Sequence, residues 1–537
     1  MTQNYDYIVV GGGSAGCVAA AKLAGAGGMR TLLLEAGYSH RHPLLDMPPG
    51  IFKMINGSKF MRYHQTVPQE HLDGRVHDIP QANVLGGGSS VNAQVYIRGR
   101  PSDYDEWHNL LRGDNDYPGW SWADVLPHFK EMEGNNRFHN ELHGGEGPLL
   151  VSDPGFINDV SRWFVQSVQA LGEPFNPDFN GPQQRGVGFY QFMNRSGRRS
   201  SAAYAFIAPL EGNPNLRIEL HATARRIELN NGAAIGITFV DKGGTERTAY
   251  ADREIIVAAG SLVTPKLLML SGIGPADHLF SHGIPCAVDL PGVGENLIDH
   301  PEVPMTAIAN GPYGYYKQGV GWRMLLNGLQ FKIFESGPIL SAGVEAGAFV
   351  NPRDRDGTPN IQAFCVPIVY LDRDTLGLVE DTYGFTITTV VVKPKSRGFV
   401  RLRSANPDDM PLVSPHLLKD PEDMKLMIEG QKFFRKAFEV GPLARRVSRI
   451  AVPPVSSDEA IAAHCKRFVK TNYHPSGTCR MGSGSDPKAV LDSRMRVRGL
   501  SGLRVCDLSA MPNINAGNTN APAMMLGSRC AELALRE

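Results

Sequence analysis

Three clusters of residues in the chain have types and spacing that could do chemistry. The first is Gly11-x-Gly13-x-x-Gly16 with an acid, Glu35, downstream. In such a loop the first glycine makes a tight turn and the second lets the backbone approach a pyrophosphate. The third allows close helix–strand packing, while the helix N-terminus supplies donors and partial positive charge. Glu35 stands near the spacing expected of an acid that binds a ribose hydroxyl. The pattern reads as dinucleotide binding and does not separate FAD from NAD. The second cluster, Gly86-Gly87-Gly88-Ser89-Ser90-Val91-Asn92, is either a flexible loop or another anion cradle, with donors from Ser89, Ser90 and Asn92 at a helix start. The third is His474, in the Pro/Gly-rich turn from Thr471 to Gly482. Such a turn can fix an imidazole for proton transfer, although a histidine is more often a surface or satisfied core residue.

Other residues are weaker candidates. Asn518 lies in the polar turn Gly517-Asn518-Thr519-Asn520-Ala521-Pro522, where Asn518 or Asn520 could simply cap a helix. Periodicity alone does not bring His474 and Asn518 together. Glu345 is an acid in a small, apolar stretch; it could bind a cationic or polyhydroxyl substrate, but a structural ion pair or hydrogen bond is the favoured reading. Trp322 to Phe334 reads as an amphipathic helix, for which packing between domains is the default over contact with a membrane or partner.

The elements that must position these residues follow from the pattern. Tyr7-Ile8-Val9-Val10 suits a buried parallel strand, Cys17 to Ala24 a small-residue helix, and Arg30 to Glu35 a second strand. This is a βαβ unit, led into directly by Met1 to Asn4 with no leader-like segment. The tract Pro174 to Gln191 reads as a connector. Strands are expected at 217–220, 234–240, 254–257 and 385–392, with turns at Gly232 and Gly243-Gly244. The fold class is therefore α/β: a Rossmann-like dinucleotide domain built from discontinuous segments, and a second, α+β domain with an antiparallel sheet. The boundaries expected are 1–160, 205–305 and 465–537 for the first, and 161–204 and 306–464 for the second.

Composition excludes several classes. A chain of 537 residues, 42% hydrophobic and 20% charged, is long enough for two or more folding units and is not disordered. Lys+Arg and Asp+Glu are both 54, with no basic run, which argues against nucleic acid as a partner. The seven cysteines form no C-x-x-C pair, so neither a disulfide frame nor a metal site is expected. No apolar run reaches the ~18 residues of a transmembrane span. A soluble, cytoplasmic protein is the expectation, with peripheral membrane association left open.

Taken together, the blocks resemble the glucose–methanol–choline (GMC) family of FAD-dependent oxidoreductases from about Tyr5 to the C-terminus. Besides the two glycine blocks, the resemblance is carried by Gly260 to Gly274, by Pro291-Gly292-Val293-Gly294-Glu295-Asn296-Leu297-Ile298-Asp299-His300, and by the His474 turn with Asp507 to Pro512 and Asn518. Their order and wording are closest to bacterial alcohol and sorbose dehydrogenases, with choline dehydrogenases near. The resemblance implies that Gly11, Gly13, Ser14, Ala15, Gly16, Glu35, Ala36 and Ala224 hold the ADP half of FAD. It places Gly88, Ser89, Asn92 and Ala93 along the pyrophosphate and flavin, and Asp507 near the ribityl end. His474 matches the family's catalytic base for alcohol oxidation by hydride transfer to flavin N5, and Asn518 its second catalytic position. Some members tether FAD through a histidine in the second block; here that position is Val91, so non-covalent FAD is expected. The implied partners are a primary alcohol, polyol or sugar and an external acceptor (quinone, another carrier or oxygen), with dehydrogenase favoured over oxidase. Rival readings are a lyase of the same family, such as a hydroxynitrile lyase, a flavin-binding protein without turnover, and an NAD-dependent dehydrogenase.

Overall fold

A computed structural model describes residues 4–55, 57–372, 375 and 377–537. Residues 1–3, read above as the lead into the first strand, lie outside the described residues. Strand β1 (Asn4–Val10), helix α1 (Ser14–Gly25) and strand β2 (Thr31–Glu35) form the expected βαβ unit, with β1 and β2 parallel in the register Tyr7↔Thr31 to Val10↔Leu34. Thr31 to Glu35 are all buried, as in a strand covered on both faces. Leu216–Leu220 adds parallel to β2, and the long strand Glu246–Val257 adds parallel to β1. Ala233–Val240 and Thr223–Asn230 extend this sheet antiparallel, and Leu503–Val505 joins it parallel at the C-terminal end of Glu246–Val257. The last helix, Asn520–Leu535, packs on α1, and the Tyr7 hydroxyl donates to the Ala534 carbonyl (3.0 Å).

A second sheet is antiparallel throughout. Its order is Val447–Val452, Pro301–Ala309, Gly384–Val391, Ile361–Val366, Ala346–Val350 and Gly186–Phe189. Two features cut across the expected divisions. The strand Pro301–Ala309 spans residue 305, and Lys470–Thr471 pairs with its first two residues rather than with the parallel sheet. Pro174 to Gln191 is more than a connector, because Gly186–Phe189 within it is an edge strand of this sheet. Among the described residues all seven cysteines are free, no acidic, His or Cys cluster could hold a metal, and no helix is long and apolar enough to cross a membrane.

The helix Gly321–Phe334 departs from the sequence expectation. It has no buried residue, and Trp322, Leu325 and Phe334 are 66%, 70% and 71% exposed, so it is not packed between domains. Its periodicity shows an apolar face, but not whether the fold covers that face. Leu325→Ser should accordingly change unfolding stability by less than ~0.5 kcal/mol, whereas Ile387→Ala, in the centre of the antiparallel sheet at 0% exposure, should cost ~2–5 kcal/mol. Denaturant midpoints of the two variants check this.

Candidate active site

One large cavity, about 400 Å³, runs between the two sheets. One end is lined by Gly11, Gly13, Ser14, Ala15, Glu35 and Ala36, and the middle by Gly88, Val91, Asn92, Ala93 and Asp507. His474 and Asn518 line the far end. The structure thus gathers into one space residues that are up to 507 positions apart in sequence.

The local backbone explains the first end. Gly11 sits at φ +108°, where a side chain is strained, and a Cβ there would meet the Ala258 carbonyl oxygen at 2.4 Å. Gly16 packs against Gly11, whose oxygen would lie 1.9 Å from a Cβ on Gly16. Gly13 is different: a Cβ would meet only the Ala258 oxygen at 3.8 Å, so no protein atom demands glycine there. What its missing side chain clears is the cavity at the start of α1, a helix whose N-terminus has no side-chain cap. Uncapped N–H groups facing a cleared space suit a diphosphate. Glu35 accepts from the backbone N–H of Gly12 (2.9 Å) and of Gly37 (2.7 Å), which fixes its carboxylate at the cavity wall; burial pushes its pKa up. The second glycine block leans on the first. Gly87, at φ +53°, would bring a Cβ to 2.6 Å from the Gly13 Cα, and the Gly86 N–H donates to the Gly12 carbonyl (2.7 Å).

Further along, Ser89 faces inward rather than lining the cavity: its hydroxyl donates to the Gly86 carbonyl (2.5 Å) and accepts from the Ala202 N–H (2.9 Å). The Asn92 side-chain oxygen accepts from the Gln94 N–H (3.0 Å) and from Arg199 (2.7 Å). Asp507 accepts from the Gly260 N–H (2.9 Å), the Thr264 hydroxyl (2.6 Å) and the Ser509 N–H (2.8 Å), tying two distant blocks together at the wall. Ala224 is not among the lining residues; it lies on Thr223–Asn230 opposite Phe239, and it is Ala222 whose N–H donates to the Glu35 backbone carbonyl (2.9 Å). The donor sets, the cleared glycine positions and the residues the cavity joins fit a dinucleotide cofactor of the FAD type.

At the far end the two imidazoles of His300 and His474 meet. The His300 Nε2 lies 2.9 Å from the Val392 carbonyl and 3.1 Å from the Asn515 carbonyl, so it carries the proton and donates to them. A neutral His300, held at about 4 by burial, then has a bare Nδ1, which sits 3.0 Å from the His474 Nδ1. His474 must donate across that contact, and its own Nε2 is left as the basic nitrogen. Burial, then the neighbouring His300 and Lys470, hold the His474 pKa well below the ordinary imidazole value. Asp299 accepts from the His474 backbone N–H (3.1 Å) and from the Thr471 hydroxyl, and burial raises its carboxyl to about 7. Asn518 points its side-chain oxygen at the Gln362 Nε2 (3.2 Å), which leaves its amide N–H groups for another acceptor. Neither Asn518 nor Asn520 caps the last helix, whose N-cap position is Thr519.

Sequence reasoning gave no role of its own to His300, the last residue of the Pro291–His300 block, and did not single out Glu302 two residues on; Glu302 lines the cavity and pairs with Lys470 (2.9 Å). Glu345 is not in the cavity. It is fully buried, accepting from Ser161 (2.5 Å), Ser341 and Tyr315, with its carboxyl pushed up by burial.

The glycine-cleared helix N-terminus, the oriented imidazole of His474 and the Asn518 amide all line this one cavity. Family models described as GMC oxidoreductase match residues 5–302 and 394–527. The chain belongs to the GMC oxidoreductase family. It is 42% identical over 541 residues to an alcohol dehydrogenase (acceptor) of Pseudomonas putida, covering 99% of this chain and 96% of that protein. It is also 35% identical to a mitochondrial choline dehydrogenase of Mus musculus, over 99% of this chain and 89% of the other. Among solved structures, a pyridoxine 4-oxidase superposes with a TM-score of 0.89 at 29% identity, covering 99% and 100% of the two chains. A formate oxidase of Aspergillus oryzae described for its FAD modification superposes with a TM-score of 0.89 at 25% identity, over 100% and 98%.

His300→Phe keeps the ring's bulk but removes the acceptor that fixes the His474 tautomer. Turnover should fall ~10–100-fold with cofactor still bound. Steady-state turnover, with the flavin absorbance of the purified variant as the measure of bound cofactor, checks this.

Proposed function

We propose that the protein oxidises an alcohol to a carbonyl compound, using non-covalently held FAD and an external electron acceptor. The observation that carries this reading is the His300–His474 hydrogen bond, which leaves a neutral, cavity-lining imidazole with Nε2 as its base. When bound, FAD supplies the two-electron acceptor for the carbon–hydrogen bond of the alcohol. The chain supplies the rest. Gly11 to Ala15, with Glu35, would hold the ADP half, and Gly88, Asn92, Ala93 and Asp507 the remainder. The Asn518 amide donates to the substrate oxygen and orients it. His474 Nε2 accepts the hydroxyl proton, which must leave before the carbon can give up electrons easily. Positioning both groups at one wall removes the entropy cost of bringing base and substrate together.

The relative at 42% identity is named for a generic acceptor, which favours a dehydrogenase over an oxidase. Val91 supports a cofactor without a covalent link, since its side chain has no nucleophilic atom at the cavity wall. Acid precipitation should therefore release yellow flavin into the supernatant; colour retained in the washed pellet would contradict it.

His474→Ala should stay yellow but lose ~10²–10⁴-fold in the rate at which an alcohol bleaches the flavin anaerobically. The base form is needed, so parental kcat/KM should fall as pH drops through the His474 pKa. That pKa is depressed, so the fall belongs below the usual 6.5 and not at it. The limb should be absent from His474→Ala, and parental bleaching by that variant would sink the assignment. Substrate cleavage with the flavin colour unchanged would instead point to a lyase.

A further inference from the structure

The cavity wall beside His474 holds a buried ion pair that plays no part in the proton transfer just described. Glu302 and Lys470 stand directly opposite each other across the antiparallel pairing of Pro301–Ala309 with Lys470–Thr471. The Lys470 Nζ lies 2.9 Å from a Glu302 carboxylate oxygen, with the two side chains 0% and 5% exposed. It also lies 5.1 Å from the centre of the Tyr370 ring and 4.6 Å from that of Tyr473. Glu302, Tyr370 and Tyr473 all line the cavity, whereas Lys470 does not; it sits behind them. Burial works against the ammonium, but Glu302, Tyr370, Tyr473 and Asp372, the last from outside the cavity lining, together outweigh it, and the group is held well above its ordinary pKa.

A quaternary ammonium cannot donate hydrogen bonds. A protein recognises it with an unpaired carboxylate and with aromatic faces, which attract a cation through the ring quadrupole. Here both kinds of group are present, and both are already engaged by a cation of the chain's own. The other acids in the cavity lining, Glu35 and Asp507, have their oxygens taken by backbone N–H groups and the Thr264 hydroxyl, at other parts of the wall. We infer that Lys470 fills from inside the protein the place a cationic alcohol would need, so that the cavity takes uncharged alcohols and rejects quaternary ammonium alcohols. This rests on the alcohol-oxidation reading above and names its substrate class. The rejection is specificity by an occupied counter-charge, since binding such a substrate would put two cations on one carboxylate.

The test uses the FAD-loaded protein and two alcohols of equal shape, choline and its uncharged carbon isostere 3,3-dimethylbutan-1-ol. Two readouts are taken: the anaerobic rate of flavin bleaching, and binding followed by perturbation of the flavin absorbance. The parent should favour the isostere at least ~10-fold in kcat/KM and should bind choline correspondingly more weakly. Lys470→Met frees the carboxylate and both rings, and should move that ratio at least ~10-fold toward choline. Lys470→Met/Glu302→Gln buries no charge and should give back most of the shift. A parent that binds and oxidises both alcohols equally overturns the inference and leaves alcohol oxidation standing. So does a folded, yellow Lys470→Met with the parental ratio. If Lys470→Met does not fold, the parental ratio and the binding titration still decide. A parent bleached by no alcohol brings down the functional reading instead, and the binding titration of the two compounds then tests Lys470 separately.

Discussion

Two neutral imidazoles joined nitrogen to nitrogen can share only one proton, and that constraint organises the site. The backbone decides which ring gives it up. Two carbonyls, from Val392 at the end of Gly384–Val391 and from Asn515 just before the last helix, demand a donor from His300. The remaining nitrogen of His300 must accept, and His474 must present its Nε2 to the cavity. The end of an antiparallel-sheet strand supplies one carbonyl, and the segment between the parallel-sheet strand Leu503–Val505 and the last helix supplies the other. The tautomer of the base is thus set by how the two sheets are joined, and a shift of either would release it. Burial keeps both rings uncharged, because an imidazolium pair in so dry a place would repel itself without solvent to screen it.

The same economy governs the buried charges. Every acid at the wall has its oxygens directed by backbone donors or a cation: Glu35 by Gly12 and Gly37, Asp507 by Gly260 and Ser509, Glu302 by Lys470. An unsatisfied carboxylate in a low-dielectric cavity would cost several kcal/mol. Satisfying each one in advance leaves none of these three carboxylates without a directed partner.

Much of this was legible in the sequence because it is local. The Gly11–Gly16 loop with Glu35 is a run of neighbours whose spacing encodes a turn, a helix start and a strand end, and the structure keeps all of them. His474 and Asn518 were legible only through resemblance, since nothing in their surroundings says that they share a wall. His300 closes a recognised block and Glu302 lies two residues beyond it, yet neither was given a role. Their partners, His474 and Lys470, are far away in sequence and come close only through strand pairing. Glu345 follows its favoured reading: an acid among small residues needs local donors, and Ser161, Ser341 and Tyr315 close over it. The helix Gly321–Phe334 misled because periodicity describes a face and not what covers it. The edge strand Gly186–Phe189 was hidden in a Pro/Gly/Asn-rich tract, where turn residues outweigh four residues of strand.

Base strength and substrate charge are coupled in this cavity. Lys470 is one of the groups that lower the His474 pKa, although it is not in contact with the ring. Positive charge behind the wall makes the base weaker, and Glu302, lying between that charge and the cavity, limits how much of it is felt. A substrate bringing a second positive charge to the same wall would weaken the base further, just where it has to take a proton. Keeping Glu302 paired would therefore serve the proposed proton transfer as well as the proposed choice of alcohol. This gives a physical reason for placing a buried ion pair, which adds little to stability by itself, with its lysine four residues before the histidine proposed as the base.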